Sequence, residues 1–223
     1  MTERFDLVIF DCDGVLVDSE RLSIRLDVEL LATLGWPMAE EEVVERWVGR
    51  TEAAMRAEIE EHLGRSVETE WTAFSERYVE AFAAELEPVD GVTDAVDAVQ
   101  AAGLATCVAS SGDLGKIRRN LAKTGLLDRF DGRLFSAEDV EHGKPAPDLF
   151  LHAASVMGVE PAATAVVEDS VHGVVAGLAA DMAVYAYAGG VTPAGRLARA
   201  GVTLFDDMRH LPRLLGVDAR PVS

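Results

Sequence analysis

Two aspartates near the start of the chain are the first residues that could do chemistry. Asp11 and Asp13, followed by Gly14, end the mostly apolar run 5–10, which predicts a buried strand. In open α/β sheets, ligands bind at the carboxyl ends of strands. Burying two acids there costs free energy unless a cation compensates them, and Mg²⁺ prefers such oxygen ligands. The alternative is an ordinary acidic turn after a strand.

Three later segments also place polar residues where a predicted strand or loop ends. Ser110 and Ser111 follow the apolar run 104–109, and Lys144 lies in the loop Gly143-Lys144-Pro145. Glu168 and Asp169 follow a third run at 164–167. These positions together offer several acids, a hydroxyl, a lysine and glycine-containing backbone. That set suits phosphoryl transfer, in which positioning and charge neutralisation supply most of the catalysis.

The elements that must position these residues form two blocks. From residue 89 to 223 predicted strands alternate with helices, which is typical of a parallel sheet. Between residues 16 and 88 the pattern is helical, as the stripe Leu22, Leu26, Leu30 and Leu34 shows. We therefore predict an α/β fold: a doubly wound, Rossmann-like parallel-sheet core formed by 1–15 and 89–223, with an inserted all-α helical cap at 16–88.

The insertion follows directly after Asp13 and Gly14, at the mouth of the predicted site. We expect it to act as a lid that excludes water from the reaction. An insertion that adds only stability or an interface is the alternative.

Composition limits the possible partners. The chain has 223 residues, of which 49% are hydrophobic, and a formal net charge of −19. Such a charge repels nucleic acid and anionic membrane surfaces, so neither is an expected partner. No signal peptide or membrane-spanning stretch is predicted, and Cys12 and Cys107 both fall in predicted buried strands. We expect a cytoplasmic monomer whose partner is a small phosphorylated metabolite.

Four motifs, in order along the chain, resemble those of the haloacid dehalogenase superfamily. They are Asp11-Cys12-Asp13-Gly14-Val15-Leu16, Ser110 after its strand, Gly143-Lys144-Pro145 and Glu168-Asp169-Ser170. The resemblance covers nearly the whole chain, and the inserted helices are similar to the first type of cap in that family. The chain most resembles the beta-phosphoglucomutase and sugar-phosphatase subfamily.

This resemblance implies a catalytic role for each motif residue. Asp11 would attack phosphorus and form an aspartyl-phosphate, while Asp13 would act as general acid and then as general base. Because dehalogenase members lack an acid at the second position, Asp13 favours phosphate chemistry over halide displacement. Lys144 would offset the negative charge of Asp11 and the phosphoryl group.

The resemblance also implies the ligands of the cofactor and of the phosphate. Mg²⁺ would be held by Asp11, Asp169 and the backbone carbonyl of Asp13, with Glu168 binding it directly or through water. Ser110 would bind the phosphate oxygens together with the backbone N–H groups of Cys12, Asp13 and Ser111, and Ser111 and Gly112 would be substrate-binding residues.

Two other functions remain open. A phosphosugar mutase is the nearer one, although Ser23 stands where we expect the mutase histidine and Asp113 would repel a second phosphate. A non-catalytic phosphate-binding regulator, similar to a response-regulator receiver, is the other, and the helical insertion argues against it. No Gly-x-Gly-x-x-Gly follows the first strand, so a dinucleotide-binding function is not predicted.

Arg50, in the predicted turn Gly49-Arg50-Thr51 of the insertion, is the candidate substrate contact outside the four motifs. Replacing Arg50 by Ala is expected to raise KM for an anionic substrate far more than it changes folding, because a cation that binds substrate adds little to the core. Steady-state kinetics and thermal unfolding measure the two effects. An unchanged KM on the true substrate would contradict the assignment and leave Arg50 as a solvated surface residue.

Overall fold

The chain folds into two compact units. The computed structural model describes residues 5–48 and 52–217. One unit consists of residues 1–18 and 87–223, and the other of residues 19–86. The first unit contains all the strands of the described residues, and the second is helical there.

A parallel sheet of six strands forms the centre of the first unit. The strands are β1 (Leu7–Phe10), β2 (Ala105–Ser110), β3 (Leu134–Ser136), β4 (Thr164–Glu168), β5 (Ala183–Tyr187) and β6 (Val202–Phe205). Their order across the sheet is β3-β2-β1-β4-β5-β6. The chain adds strands on one side of β1 and then crosses to place β4 on the other. The order therefore reverses between β1 and β4, where open α/β sheets form a ligand crevice.

The described residues of the inserted unit form four helices. They are α1 (Ser19–Thr33), α2 (Glu40–Trp47), α3 (Glu52–Leu63) and α4 (Glu68–Glu85). The four leucines of the predicted stripe on α1 and just after it are all buried. Arg25 of α1 forms an ion pair with Glu85 of α4 at 2.6 Å, and Arg77 of α4 contacts Glu29 of α1. Apolar burial on the α1 stripe is the larger contribution to this unit, because exposed ion pairs are worth about 1 kcal/mol or less.

Six helices of the first unit follow its strands. They are α5 (Val92–Ala101), α6 (Leu114–Lys123), α7 (Asp148–Met157), α8 (Val171–Ala179), α9 (Ala194–Leu197) and α10 (Leu211–Leu214). Leu7 and Ile9 of β1 pack with Phe150 of α7 and Ala176 of α8 in one buried cluster. On β1 the intervening Phe10 instead contacts Phe130, edge to face, at a centroid distance of 6.0 Å. Side chains that alternate between two covered faces are what a buried parallel strand requires.

The predicted fold class is confirmed: a parallel sheet carries helices, and a helical unit is inserted after β1. Strand boundaries differ from the predicted ones by one or two residues, as β1 begins at Leu7 and not at Phe5. None of the helices in residues 5–48 and 52–217 is long and apolar enough to cross a membrane.

Candidate active site

Lys144 joins two carboxylates at the point where the strand order reverses. Asp11 directly follows β1, and Glu168 is the last residue of β4. The Lys144 Nζ donates to Asp11 Oδ1 at 2.6 Å, to Glu168 Oε1 at 2.6 Å and to the carbonyl of Ala109 at 3.0 Å. The Lys144 side chain is 4% exposed and that of Glu168 is 1% exposed. One buried ammonium therefore holds three neighbouring strands together at their carboxyl ends.

Burial and charge act against each other on these groups. Burial raises the pKa of Asp11 to about 7, although the charge of Lys144 lowers it. Burial alone would lower the pKa of Lys144, but the charges of Asp11 and Glu168 raise it above its ordinary value. Lys144 is accordingly cationic at neutral pH, whereas Asp11 needs a further positive charge to be fully ionised there.

Glu168 is held from both sides. Its Oε1 faces Lys144, and its Oε2 accepts from the backbone N–H of Asp169 at 3.0 Å and of Ser170 at 2.9 Å. The Ser170 hydroxyl also donates to Oε2 at 2.9 Å, and it caps α8 by accepting from the Gly173 N–H. A Cβ at Gly173 would lie 1.8 Å from Glu168 Oε1, so this side chain packs tightly against the first turn of α8.

Three buried carboxylates form a candidate metal site. Asp11, Glu168 and Asp169 each offer an oxygen, and these oxygens lie within 4.8 Å of one another. An all-oxygen, carboxylate-rich donor set fits Mg²⁺, which binds through one or two carboxylates and keeps several waters. Because both oxygens of Glu168 already accept protein donors, Asp11 and Asp169 are the better direct ligands. Glu168 suits contact through a bound water.

Gly14 brings the backbone after Asp13 close to Asp169. Its φ of +75° lies in the left-handed region, and a Cβ there would lie 2.0 Å from Asp169 Oδ2. Position 14 therefore requires glycine for two reasons, the left-handed backbone of the turn and the close approach to the Asp169 carboxylate.

Replacing Gly14 by Ala is expected to raise the Mg²⁺ concentration needed for half-maximal activity at least about tenfold, because the methyl group displaces the Asp169 carboxylate. Gly103→Ala is the matched control, because Gly103 has a φ of +89° and nothing within 4 Å of its Cβ position. Both variants should lose about 1–2 kcal/mol of stability from the backbone, but only Gly14→Ala should change the Mg²⁺ requirement. Equal Mg²⁺ requirements in the two variants would contradict the role given to this contact.

The loop after β2 is fixed by hydrogen bonds at both of its ends. The Gly112 N–H donates to the Ser110 Oγ at 3.2 Å, and the Ser136 hydroxyl at the end of β3 donates to the Gly112 carbonyl at 2.8 Å. Ser110 is buried, whereas Ser111 is exposed. Asp113 caps α6 by accepting from the Lys116 N–H at 2.8 Å. The loop thus presents a hydroxyl and backbone amides beside the end of β1.

Asp13 forms an ion pair that the sequence did not indicate. The Lys116 Nζ lies 2.8 Å from Asp13 Oδ2. The other carboxylate oxygen, Oδ1, is buried, and among the described residues no donor contacts it. A buried acceptor without a partner costs free energy, so such an oxygen is a candidate for contact with a substrate.

The structure brings together Asp11, Lys144, Glu168 and Asp169, and it places Asp13 and the Ser110 loop at neighbouring strand ends. The catalytic and binding roles of these residues stay predictions. Arg50 lies outside the described residues. Lys116 and Ser136 were missed as contributors to the site, and Ser170 was named in the fourth motif without a role. Only Lys116 had a usable signal, because a cation in the first turn of a helix opposes the helix dipole and calls for an explanation.

Residues 5–181 match the profile of the haloacid dehalogenase-like hydrolases. The chain is a haloacid dehalogenase-like hydrolase. It is 32% identical over 214 residues to the 6-phosphogluconate phosphatase of Escherichia coli strain K12, with 95% of each chain covered. The predicted family membership and the prediction of an enzyme are both confirmed.

Two other proteins are similar to this hydrolase. A beta-phosphoglucomutase of Mycobacterium tuberculosis, strain CDC 1551 / Oshkosh, is 46% identical over 116 residues, which cover 50% of this chain and 42% of the mutase. The crystal structure of a haloacid dehalogenase-like protein of unknown function from Agrobacterium tumefaciens str. C58 superimposes with a TM-score of 0.84 at 34% identity, covering 95% of this chain and 98% of the other.

Proposed function

We propose that this hydrolase is a Mg²⁺-dependent phosphatase that acts on a small phosphorylated metabolite of the sugar-phosphate class. The observation that carries the proposal is the buried Lys144, which bridges Asp11 and Glu168 beside three carboxylate oxygens within 4.8 Å of one another. Such an arrangement neutralises charge on a nucleophile and on an incoming phosphoryl group. The similarity to a 6-phosphogluconate phosphatase along 95% of both chains supports the substrate class.

In the first step Asp11 attacks phosphorus and forms an acyl-phosphate, while the bond from phosphorus to the leaving oxygen breaks. Asp13 donates a proton to that oxygen, so that a neutral alcohol departs. In the second step Asp13 takes a proton from water, the water oxygen attacks phosphorus, and the bond to Asp11 breaks. Inorganic phosphate and the free carboxylate of Asp11 are the products.

The other residues of the site hold the reacting groups in place. Lys144 keeps Asp11 at the end of β1 and offers positive charge to the phosphoryl oxygens. Ser110, with the backbone amide of Ser111, binds those oxygens from the β2 side, and Gly112 orients the Ser110 hydroxyl through its N–H. Asp11, Asp169 and the carbonyl of Asp13 would hold Mg²⁺, which would stabilise the negative charge on the transferring group.

A phosphosugar mutase is the second candidate, and the 46% identity to a beta-phosphoglucomutase over half of the chain favours it. Two features argue for hydrolysis instead. Ser23 stands at the register where we expect a histidine in the mutase. The loop that would bind a second phosphate contains Asp113, whose carboxylate is already used to cap α6.

Phosphate release from a panel of sugar phosphates and short phosphorylated metabolites tests the proposal. We expect release with Mg²⁺ and its loss, by more than about a hundredfold, when a chelator removes the metal, because the carboxylates then repel the phosphate. Phosphate release that persists with the chelator would show that the reaction does not require Mg²⁺. Interconversion of isomeric phosphosugars without phosphate release would identify a mutase, and inactivity in both assays would favour the phosphate-binding regulator.

A further inference from the structure

Lys116 projects from the first turn of α6 toward Asp13. Its Nζ lies 2.8 Å from Asp13 Oδ2, and its backbone N–H donates to the α6 cap residue Asp113. The positive end of the helix dipole opposes a cation in the first turn, so this position carries a cost. The contact with Asp13 places the ammonium beside the residue that protonates the leaving oxygen in the proposed mechanism.

The two lysines of the site differ in their access to solvent. The Lys144 side chain is 4% exposed and lies between two buried carboxylates. The Lys116 side chain is 41% exposed, and that of its partner Asp13 is 21% exposed. An ion pair in which the lysine is exposed to solvent is weak, so Lys116 can exchange one carboxylate for another at small cost.

The position of Lys116 determines which part of a substrate its ammonium can contact. In the proposed mechanism Asp13 protonates the leaving oxygen, whereas Lys144, Ser110 and the candidate metal ligands serve the transferred phosphoryl group. A cation against Asp13 therefore lies on the side of the organic leaving group. An anionic group there would otherwise be repelled, because the carboxylates of the site outnumber its lysines and the whole chain carries a formal charge of −19.

We propose that Lys116 determines specificity by binding a carboxylate on the leaving group. The preferred substrates are then phosphate monoesters of sugar acids or hydroxy acids, and not those of neutral sugars or polyols. The contact with Asp13 shows that the Lys116 ammonium binds a carboxylate in this part of the site. This inference rests on the proposed phosphatase function and names its substrate class.

Matched pairs of substrates test the inference, since each pair differs only in the carboxylate. The pairs are 6-phosphogluconate with glucitol 6-phosphate, 3-phosphoglycerate with glycerol 3-phosphate, and 2-phosphoglycolate with 2-hydroxyethyl phosphate. In the wild type we expect kcat/KM to favour the acid by about tenfold or more in at least one pair, mainly through a lower KM. The acid-to-neutral ratio cancels any effect that a variant has on both members through Asp13.

Lys116→Met should lower this ratio at least about tenfold, and Lys116→Arg should retain most of it because the cation is kept. Lys123→Met, at the other end of α6, is the matched control and should keep the wild-type ratio. A wild type without preference for the acid overturns the inference. An equal loss of kcat/KM on the acid and on the neutral substrate in Lys116→Met also overturns it, because that result would show that Lys116 acts through Asp13.

These outcomes also separate this inference from the proposed function. Mg²⁺-dependent hydrolysis of the neutral members, with a ratio that does not respond to Lys116→Met, leaves the phosphatase standing and rejects the role of Lys116. If no member of any pair releases phosphate, the proposed function fails and the assignment of Lys116 fails with it.

Discussion

Replacing Asp11 by Asn is expected to lower kcat for phosphate release by more than about a thousandfold, because an amide oxygen is a poor nucleophile toward phosphorus. The variant should remain folded. Asparagine has the size of aspartate, its amide oxygen can accept the hydrogen bond from Lys144, and burial already disfavours the charge that the substitution removes. Steady-state phosphate release and thermal unfolding measure the two effects separately.

Asp6→Asn is the matched control, because it makes the same chemical change at an exposed position just before β1. It should retain wild-type kinetics. Intact-mass measurement of rapidly quenched reactions should detect a phosphorylated protein in the wild type and none in the Asp11→Asn variant. Substantial turnover by Asp11→Asn, with a phosphorylated wild type absent, would reject Asp11 as the nucleophile.

Replacing Lys144 by Met is expected to lower the free energy of unfolding by about 3–5 kcal/mol, because it leaves the buried carboxylates of Asp11 and Glu168 without their counter-charge. For a chain of this length that corresponds to a fall in Tm of about 10 °C. Activity should fall as well, since the charge on the nucleophile and the phosphoryl group is no longer offset. Urea denaturation in the presence of a chelator measures the change in stability.

The effect of Lys144→Met on stability should depend on pH and on Mg²⁺. The pKa of Asp11 is about 7 even beside Lys144, and removing the ammonium raises it further. Below its unfolded-state pKa Asp11 is neutral in both states, so the variant loses little there. The two proteins diverge as pH rises through about 7, because the folded wild type then ionises Asp11 beside Lys144, whereas the folded variant must keep Asp11 protonated or hold an unpaired anion. Added Mg²⁺ should recover part of the loss.

Lys116→Met is the matched control for stability, because it removes the same charge from a half-exposed ion pair with Asp13. Its free energy of unfolding should change by less than about 1 kcal/mol. Equal losses in the two lysine variants would show that burial of the carboxylates does not determine the energetics of this site.

Much of the fold could be predicted from local patterns. Apolar runs that end in polar residues predicted the strands, and the leucine stripe predicted α1. These patterns are reliable because each element must bury its apolar side chains whatever the details of its neighbours. The pairing of β1 with both β2 and β4, which creates the crevice, depends on contacts far apart in the chain and could be expected only from the alternation of strands and helices.

The order of the four motifs along the chain pointed to the residues that we propose for the site, which are Asp11, Asp13, Ser110, Lys144, Glu168 and Asp169. Lys116 was not among them. Its contact with Asp13 joins residues 103 positions apart, and nothing in either local pattern demands it. Ser136 was missed, and the supporting role of Ser170 was not predicted, for a similar reason: a hydroxyl that supports another group resembles any other serine at the end of a strand.

The amino-acid sequence by itself determined the chemical groups, their position at strand ends and the family to which this hydrolase belongs, because these depend on residue types and local periodicity. Only the tertiary structure decided which carboxylates bind Lys144, which glycine lies against the Asp169 carboxylate and which lysine forms the ion pair with Asp13. Those relations are set by side-chain packing where the carboxyl ends of β2, β1 and β4 lie side by side. Hydrogen bonds and ion pairs act over about 3 Å, so they become defined only when the strands are in register.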